Sequence, residues 1–320
     1  MIAQDDFVAS REQDWKELDA LLPAEAPLHG AGGPAIARVA ALYRALSADV
    51  VACRGARYTP DLALYLDGLA ARAHDALYSA SAFRSGGLWA LVARDFPRAV
   101  RNNARFLALA AALLFLPWAI GQAGAMLTPT FATSVLPRGT LDAMAKSYGE
   151  GFSGGRAAGE ATGMAGFYVY NNVGIAFRCF ATGIFFGLGS IFFLVYNGLV
   201  MGTVTGYVLS AGHGSILTFM CGHAPFELTA ILISGAAGIQ MGYSLVATGG
   251  ETRLGSLRAA SPGVVRQVLG AALMLAIAAI IEGFWSPSSA PDVAKWAVAG
   301  AFTIAVTLYF CFAGRAARGA

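Results

Sequence analysis

Apolar positions along the chain change their rhythm near residue 105. Before it they recur three and four apart, as in Ile36, Val39, Tyr43, Leu46 and Val50, the spacing of a helix with one buried face. A second such helix starts at Thr59-Pro60, with Thr59 as N-cap and Pro60 at the first helical position, and continues through Leu62, Tyr65, Leu66, Leu69 and Leu77. The glycine-rich HGAGGP and the stretch CRGARYTP punctuate the two. Residues 1–85 therefore read as a small antiparallel helical domain outside a membrane, suited to docking because no catalytic spacing occurs in it. In residues 86–105, Trp89, Leu91, Val92 and Phe96 alternate with Arg94, Arg98, Arg101 and Arg105. That pattern suits an amphipathic helix lying on an anionic leaflet.

From residue 106 the apolar runs become long enough to cross hydrocarbon, which takes roughly 20 helical residues. Six spans are expected within 106–320, at 106–127, 173–196, 198–211, 225–246, 268–285 and 294–312. The second and third are joined by a turn at Tyr196-Asn197-Gly198. The third is short, yet arginines argue that it crosses. The segment before span one, the loop with Arg253, Arg258 and Arg266, and the tail with Arg315 and Arg318 share a side only if the tally is even. Basic segments stay cytoplasmic, which puts both termini inside. The fold class is thus all-α, a polytopic membrane protein of six transmembrane helices preceded by a small cytosolic helical domain.

Composition agrees. Hydrophobic residues make up 57% of the chain and charged ones 13%, with a mean hydropathy of +0.58, against about 45–50% and 25% in soluble domains. A net charge of +3, with basic residues beside apolar spans, points away from nucleic acid. The four cysteines lack C-x-x-C spacing and read as thiols without a metal or disulfide framework. The polar, acidic start lacks the pattern of a cleavable signal, leaving the first span as the insertion signal.

Small residues recur every fourth position inside three consecutive spans: Gly183 and Gly187; Gly198, Gly202 and Gly206; Ser234, Gly238 and Gly242. Such stripes let backbones approach closely where lipid gives no hydrophobic drive. They mark either the compact core of the membrane domain, its homodimer seam, or a glycine-lined path. The connection 128–170 is external, and its glycines between Gly149 and Gly166 do not form a phosphate loop, since G-x-x-x-x-G-K-[ST] is absent.

The candidate chemistry gathers at the outer face. His223 and Glu227 lie one helical turn apart at the start of a span. Glu282 comes near the outer end of the next span, Asn171 and Asn172 at the start of span two, and His213 in the connection before His223. Arg178 sits two turns inside, where a lone guanidinium is costly, and pairing with Glu227 or Glu282 is expected. Bland readings compete: Glu227 can complement a helix N-terminus, Glu282 can snorkel, and His223 can cap. A polar pocket for an ion, lipid head group or partner is the functional reading. Metal-dependent hydrolysis ranks below both, because H-x-x-x-E lacks the second His of H-E-x-x-H. Neither a catalytic residue nor a metal ligand is assigned, and no cofactor is expected.

DFPRAVRNN, FYVYNNVGIAFRCFATGIFFGLGS, YNGLVMG, CGHAPFELTAILISGAAGIQMG and IIEGFW together resemble the stage II sporulation protein M family over roughly residues 86–314. Ala224-Pro225 departs from the His-Gly often found before the Glu. The resemblance implies an all-helical protein of the bacterial inner membrane, with Asn171, Asn172, His223, Glu227 and Glu282 at matching positions. It further implies cell-wall-degrading partners in spore formers, and elsewhere companions such as a MoxR-type ATPase system and other envelope membrane proteins. A non-enzymatic scaffold is the leading expectation, with an ion or lipid transporter as the alternative.

Overall fold

The computed structural model describes residues 3–22, 33–78, 87–149 and 158–315, and every regular element in them is helical. Arg318 and much of the 149–166 glycine stretch lie outside the described residues. The chain divides into two compact units between Gly87 and Leu88.

The first unit holds α1 (Gln4–Leu21), α2 (Gly33–Ala56) and α3 (Pro60–Tyr78). The sequence reading misses α1, whose acidic surface dilutes its apolar face. Its Trp15 and Leu18 nevertheless close the core with Val39, Leu42, Leu46, Leu66 and Leu69. Asp49, buried between α1 and α2, accepts the Trp15 indole N–H at 2.8 Å and the Arg11 Nε at 3.0 Å. Burying these polar groups is tolerable because each one is paired.

In the second unit, α4 (Gly87–Ala90), a π-helical turn (Leu91–Asp95) and α5 (Phe96–Asn102) lead into α6 (Ala104–Leu127). The segment expected as an amphipathic helix is thus helical over 87–102, with a π-helical turn inside it, and Phe96, Pro97 and Val100 on its inner face are buried against protein. Phe96 fills the space left by Gly270, and the Tyr309 hydroxyl donates to the Val92 carbonyl at 2.6 Å. Two arginines cap the last helix, Arg98 donating to the Gly314 carbonyl and Arg101 to that of Phe310.

The remaining helices are α7 (Pro129–Val135), α8 (Arg138–Gly149), α9 (Ala158–Ala181), α10 (Leu188–Ser210), α11 (Ser215–Cys221), α12 (Ala224–Val246), α13 (Arg253–Ile280) and α14 (Asp292–Phe312). A second π-helical turn, Ile281–Trp285, prolongs α13. Five helices are long and apolar enough to cross a membrane: 104–127, 188–210, 224–246, 253–285 and 292–312. The expected span 173–196 is not among them: it is divided between the end of α9 and the start of α10, and α9 carries glycines in its first half and Asn171 and Asn172 just past its middle in place of a continuous apolar run.

The boundaries of spans two and three are corrected as well. Asn197-Gly198 is mid-helix in α10, not a turn. The Asn197 amide donates to the Phe193 carbonyl one turn back at 2.6 Å, which removes its need for a loop. The actual reversal is a 3₁₀ turn at Thr182–Ile184 followed by Phe186 (φ 55°) and Gly187 (φ 86°). A glycine suits the left-handed conformation there.

The glycine stripes are used within the chain. Gly198, Gly202 and Gly206 of α10 lie against the backbone carbonyls of Leu114, Trp118 and Gln122, so α6 and α10 run parallel in register. A Cβ on Gly121 of α6 would stand only 2.6 Å from the Leu199 carbonyl. On the other side of the unit, Gly238 of α12 lies against the Cys179 and Phe180 carbonyls at the end of α9, and in the turn that follows Gly183 faces Gly238 and Gly187 faces Gly242. Ser234 is buried in the same α12 face.

Candidate functional site

Two polar clusters lie at opposite ends of the second unit. At one end, Asn103, in the kink between α5 and α6, donates its side-chain amide to Gln267 Oε1 at 2.7 Å, and Gln267 Nε2 donates to Gln240 Oε1 at 2.9 Å. The basic segments gather at this end too: Arg105 covers the Phe106 and Tyr243 rings, Arg253 covers Phe186, and Arg98 and Arg101 hold the α14 terminus.

At the other end stand His223, Glu227 and Glu282, 5%, 7% and 8% exposed. Pro225 near the start of α12 sets the helix beginning, so His223 is the N-cap and Glu227 follows in the first turn. The imidazole Nε2 lies 3.7 Å from Glu227 Oε2. Its Nδ1 is 3.0 Å from the Ser286 hydroxyl. Glu282 comes from the π-helical turn, whose extra residue per turn re-aims a side chain; such turns are frequent at functional sites. Asn172 of α9 donates to Glu282 Oε2 at 3.2 Å. One ligating atom each from His223, Glu227 and Glu282 fall within 4.8 Å of one another.

Of the residues expected to converge, Asn172, His223, Glu227 and Glu282 do. Asn171 is exposed and reaches the cluster only by donating to Asn172 at 3.0 Å. Arg178 does not belong to it. Six residues beyond Asn172, it sits roughly 120° around α9 at 100° per residue, on the exposed face, and it makes no ion pair with either carboxylate. The expected Arg178–glutamate pair is therefore replaced by a different neighbourhood. His213 is also elsewhere, its ring against Gly149 of α8, where a Cβ would meet it at 2.8 Å.

Two residues missed from sequence complete the site. Ser286 holds the imidazole, and its own amide closes the π-helical turn on the Ile281 carbonyl at 2.8 Å. Lys295, only 5% exposed in the first turn of α14, donates to the Ser286 carbonyl at 2.9 Å. Neither carries a sequence signal, because a serine in SPSS and a lysine near an interface are ordinary there. Phe219 stands edge-on to His223 at 5.5 Å and, with Ser288 and Lys295, also lines a neighbouring cavity of about 310 Å³.

One orphaned atom stands out. Glu227 Oε2 is buried and has no hydrogen-bond partner, unusual for a carboxylate oxygen in a low-dielectric site.

Compared with known families, residues 106–287 match the model described as Stage II sporulation protein M, which is more than half of the chain. Residues 5–79 match one described as a domain of unknown function, DUF8413, so the first unit carries a family match of its own. No curated protein and no solved structure is matched by the chain.

Proposed function

The chain belongs to the stage II sporulation protein M family, and from that membership we propose that it is a non-enzymatic scaffold of a cell-envelope complex. In this reading it sits in the bacterial inner membrane. The first unit docks partners in the cytoplasm, and the end bearing His223 faces outward. Partners of the expected kind are other envelope membrane proteins, a MoxR-type ATPase system or cell-wall enzymes, with a homodimer as one form of assembly.

The observation that carries the reading is the closed middle of the membrane unit. Between the amide chain and the carboxylate cluster, α6 meets α10 and α9 meets α12 with no room for a Cβ at Gly183, Gly198, Gly202 or Gly238. Buried charged side chains are absent from that layer among the described residues, whereas a proton or ion route usually needs them along its depth. The gathering of Arg98, Arg101, Arg105 and Arg253 at one end supports a cytoplasmic assignment for that end. With α9 counted as the sixth crossing, both termini fall on it.

A pull-down from native membranes, with and without residues 1–85, tests this. The expected result is a defined set of membrane partners that is lost on deletion and kept in Glu282→Gln. The second reading, transport of an ion or lipid, draws on the buried His223, Glu227 and Glu282. Flux in proteoliposomes that Glu227→Gln or Glu282→Gln abolishes would replace the scaffold.

A further inference from the structure

We propose that His223, Glu227 and Glu282 bind one divalent transition-metal ion, of the zinc class, that fastens α12 to the end of α13 beneath α9. The proposal does not depend on the scaffold reading.

The donor set comes first. An imidazole nitrogen and two carboxylates are a borderline combination that suits Zn²⁺ or Mn²⁺ better than the all-oxygen cages of Ca²⁺. Three protein ligands leave a fourth position for water, as in open zinc sites. The separations fit. Zinc ligands at about 2.0–2.2 Å and tetrahedral angles stand about 3.3–3.5 Å from one another, and His223 Nε2 lies 3.7 Å from Glu227 Oε2. The three ligating atoms share a 4.8 Å neighbourhood.

The charges suit such an ion. A dication with two carboxylates and a neutral imidazole is electrically neutral as a unit. Independently of the clustering, Glu227 Oε2 is a buried acceptor without a hydrogen-bond partner, aimed at His223 Nε2. An ion between them satisfies both atoms.

The surrounding shell is already arranged for ligation. Metal-bound histidines usually anchor their second nitrogen on a neighbour that fixes ring orientation and tautomer. Here the Ser286 hydroxyl does so at 3.0 Å, and the Lys295 bond to Ser286 steadies that partner. Asn172 orients the Glu282 carboxylate in the same way. The cavity lined by Phe219, Ser288, Asp292 and Lys295 adjoins the site, since Phe219 stands against His223 and Lys295 holds Ser286. The local motif is only H-x-x-x-E, and the third ligand, Glu282, is remote in the chain. That ligand arrives from a helix more than fifty residues further on, re-aimed by the π-helical turn.

The test uses the full chain in detergent, stripped with a chelator, dialysed against Zn²⁺ and assayed for metal by mass spectrometry. One equivalent per chain is expected. The Glu227→Gln/Glu282→Gln double variant should retain none, and Asn172→Leu should bind about tenfold more weakly. Arg178→Gln should keep the full equivalent. Because a ligand variant can misfold, the wild type is also loaded with Co²⁺, whose visible absorption reports a four-coordinate nitrogen–oxygen site. Melting temperatures with and without Zn²⁺ complete the set, rising with metal in the wild type and not in the double variant. Wild-type protein that retains no metal, or a double variant that retains the same equivalent, overturns the proposal.

Discussion

Phe96 sits in the gap that Gly270 leaves in α13, where any β-carbon would overlap its ring. This one contact fixes the entry of the membrane unit to its fourth apolar helix and explains why one face of the 86–105 segment is buried against protein. It also typifies the unit, in which backbone proximity replaces side-chain interdigitation at several helix crossings.

The first prediction follows from that proximity. Gly202→Val places a side chain against the Trp118 carbonyl and should destabilise the protein by about 3 kcal/mol or more, beyond the usual cost of overpacking. Gly300→Ala, with nothing within 4 Å of its Cβ position, should be neutral or stabilising by up to about 1 kcal/mol. Melting curves in detergent compare the two.

In the first unit, Asp49→Ala leaves the Trp15 indole N–H buried without an acceptor and the Arg11 guanidinium without its main partner. A loss of about 1–3 kcal/mol is expected from the stranded donor. Hydrogen exchange of α1 and α2 amides should accelerate, while exchange in α10 should stay as it was. Equal acceleration in both would mean that the two units unfold as one.

Burial pushes the Cys53 thiol up from its ordinary value, with the Asp67 carboxylate adding to the effect. A raised value means less thiolate at any given pH, and the side chain is only 1% exposed. Cys53 should therefore resist alkylation in the folded protein at mildly alkaline pH and react readily after denaturation. Peptide mass spectrometry reads both.

On a cysteine-free background, Gly255→Cys and Arg315→Cys should be labelled by an impermeant maleimide from the same side, and Ser289→Cys from the opposite one. Asn102→Cys should be labelled from that same side as position 255, because α6, α9, α10 and α12 lie between the two; labelling of positions 102 and 255 from opposite sides would remove α9 as a crossing.

The apolar helices and the convergence of Asn172, His223, Glu227 and Glu282 were readable from sequence, because membrane insertion leaves a long, coarse signal and successive long helices bring alternate ends together. Finer features were not. Asn197-Gly198 has turn chemistry by composition, but a side-chain bond to the preceding turn and a close neighbouring backbone turn it into helix. The orientation of Arg178 depends on the rotational phase of α9, which a glycine-rich start does not reveal. The roles of Ser286 and Lys295 depend on a π-helical turn, and a single extra residue per turn has no composition of its own.

The parallel seam of α6 and α10 bears on biogenesis. The ridge of Gly198, Gly202 and Gly206 is the groove into which α6 settles, yet ribosomes deliver α6 long before it. The first helix to leave the translocon must wait in lipid, unpaired, until synthesis has passed Ser210. Only then does the proline-containing α6 gain its neighbour, so quality control in the membrane has its widest opening during that interval.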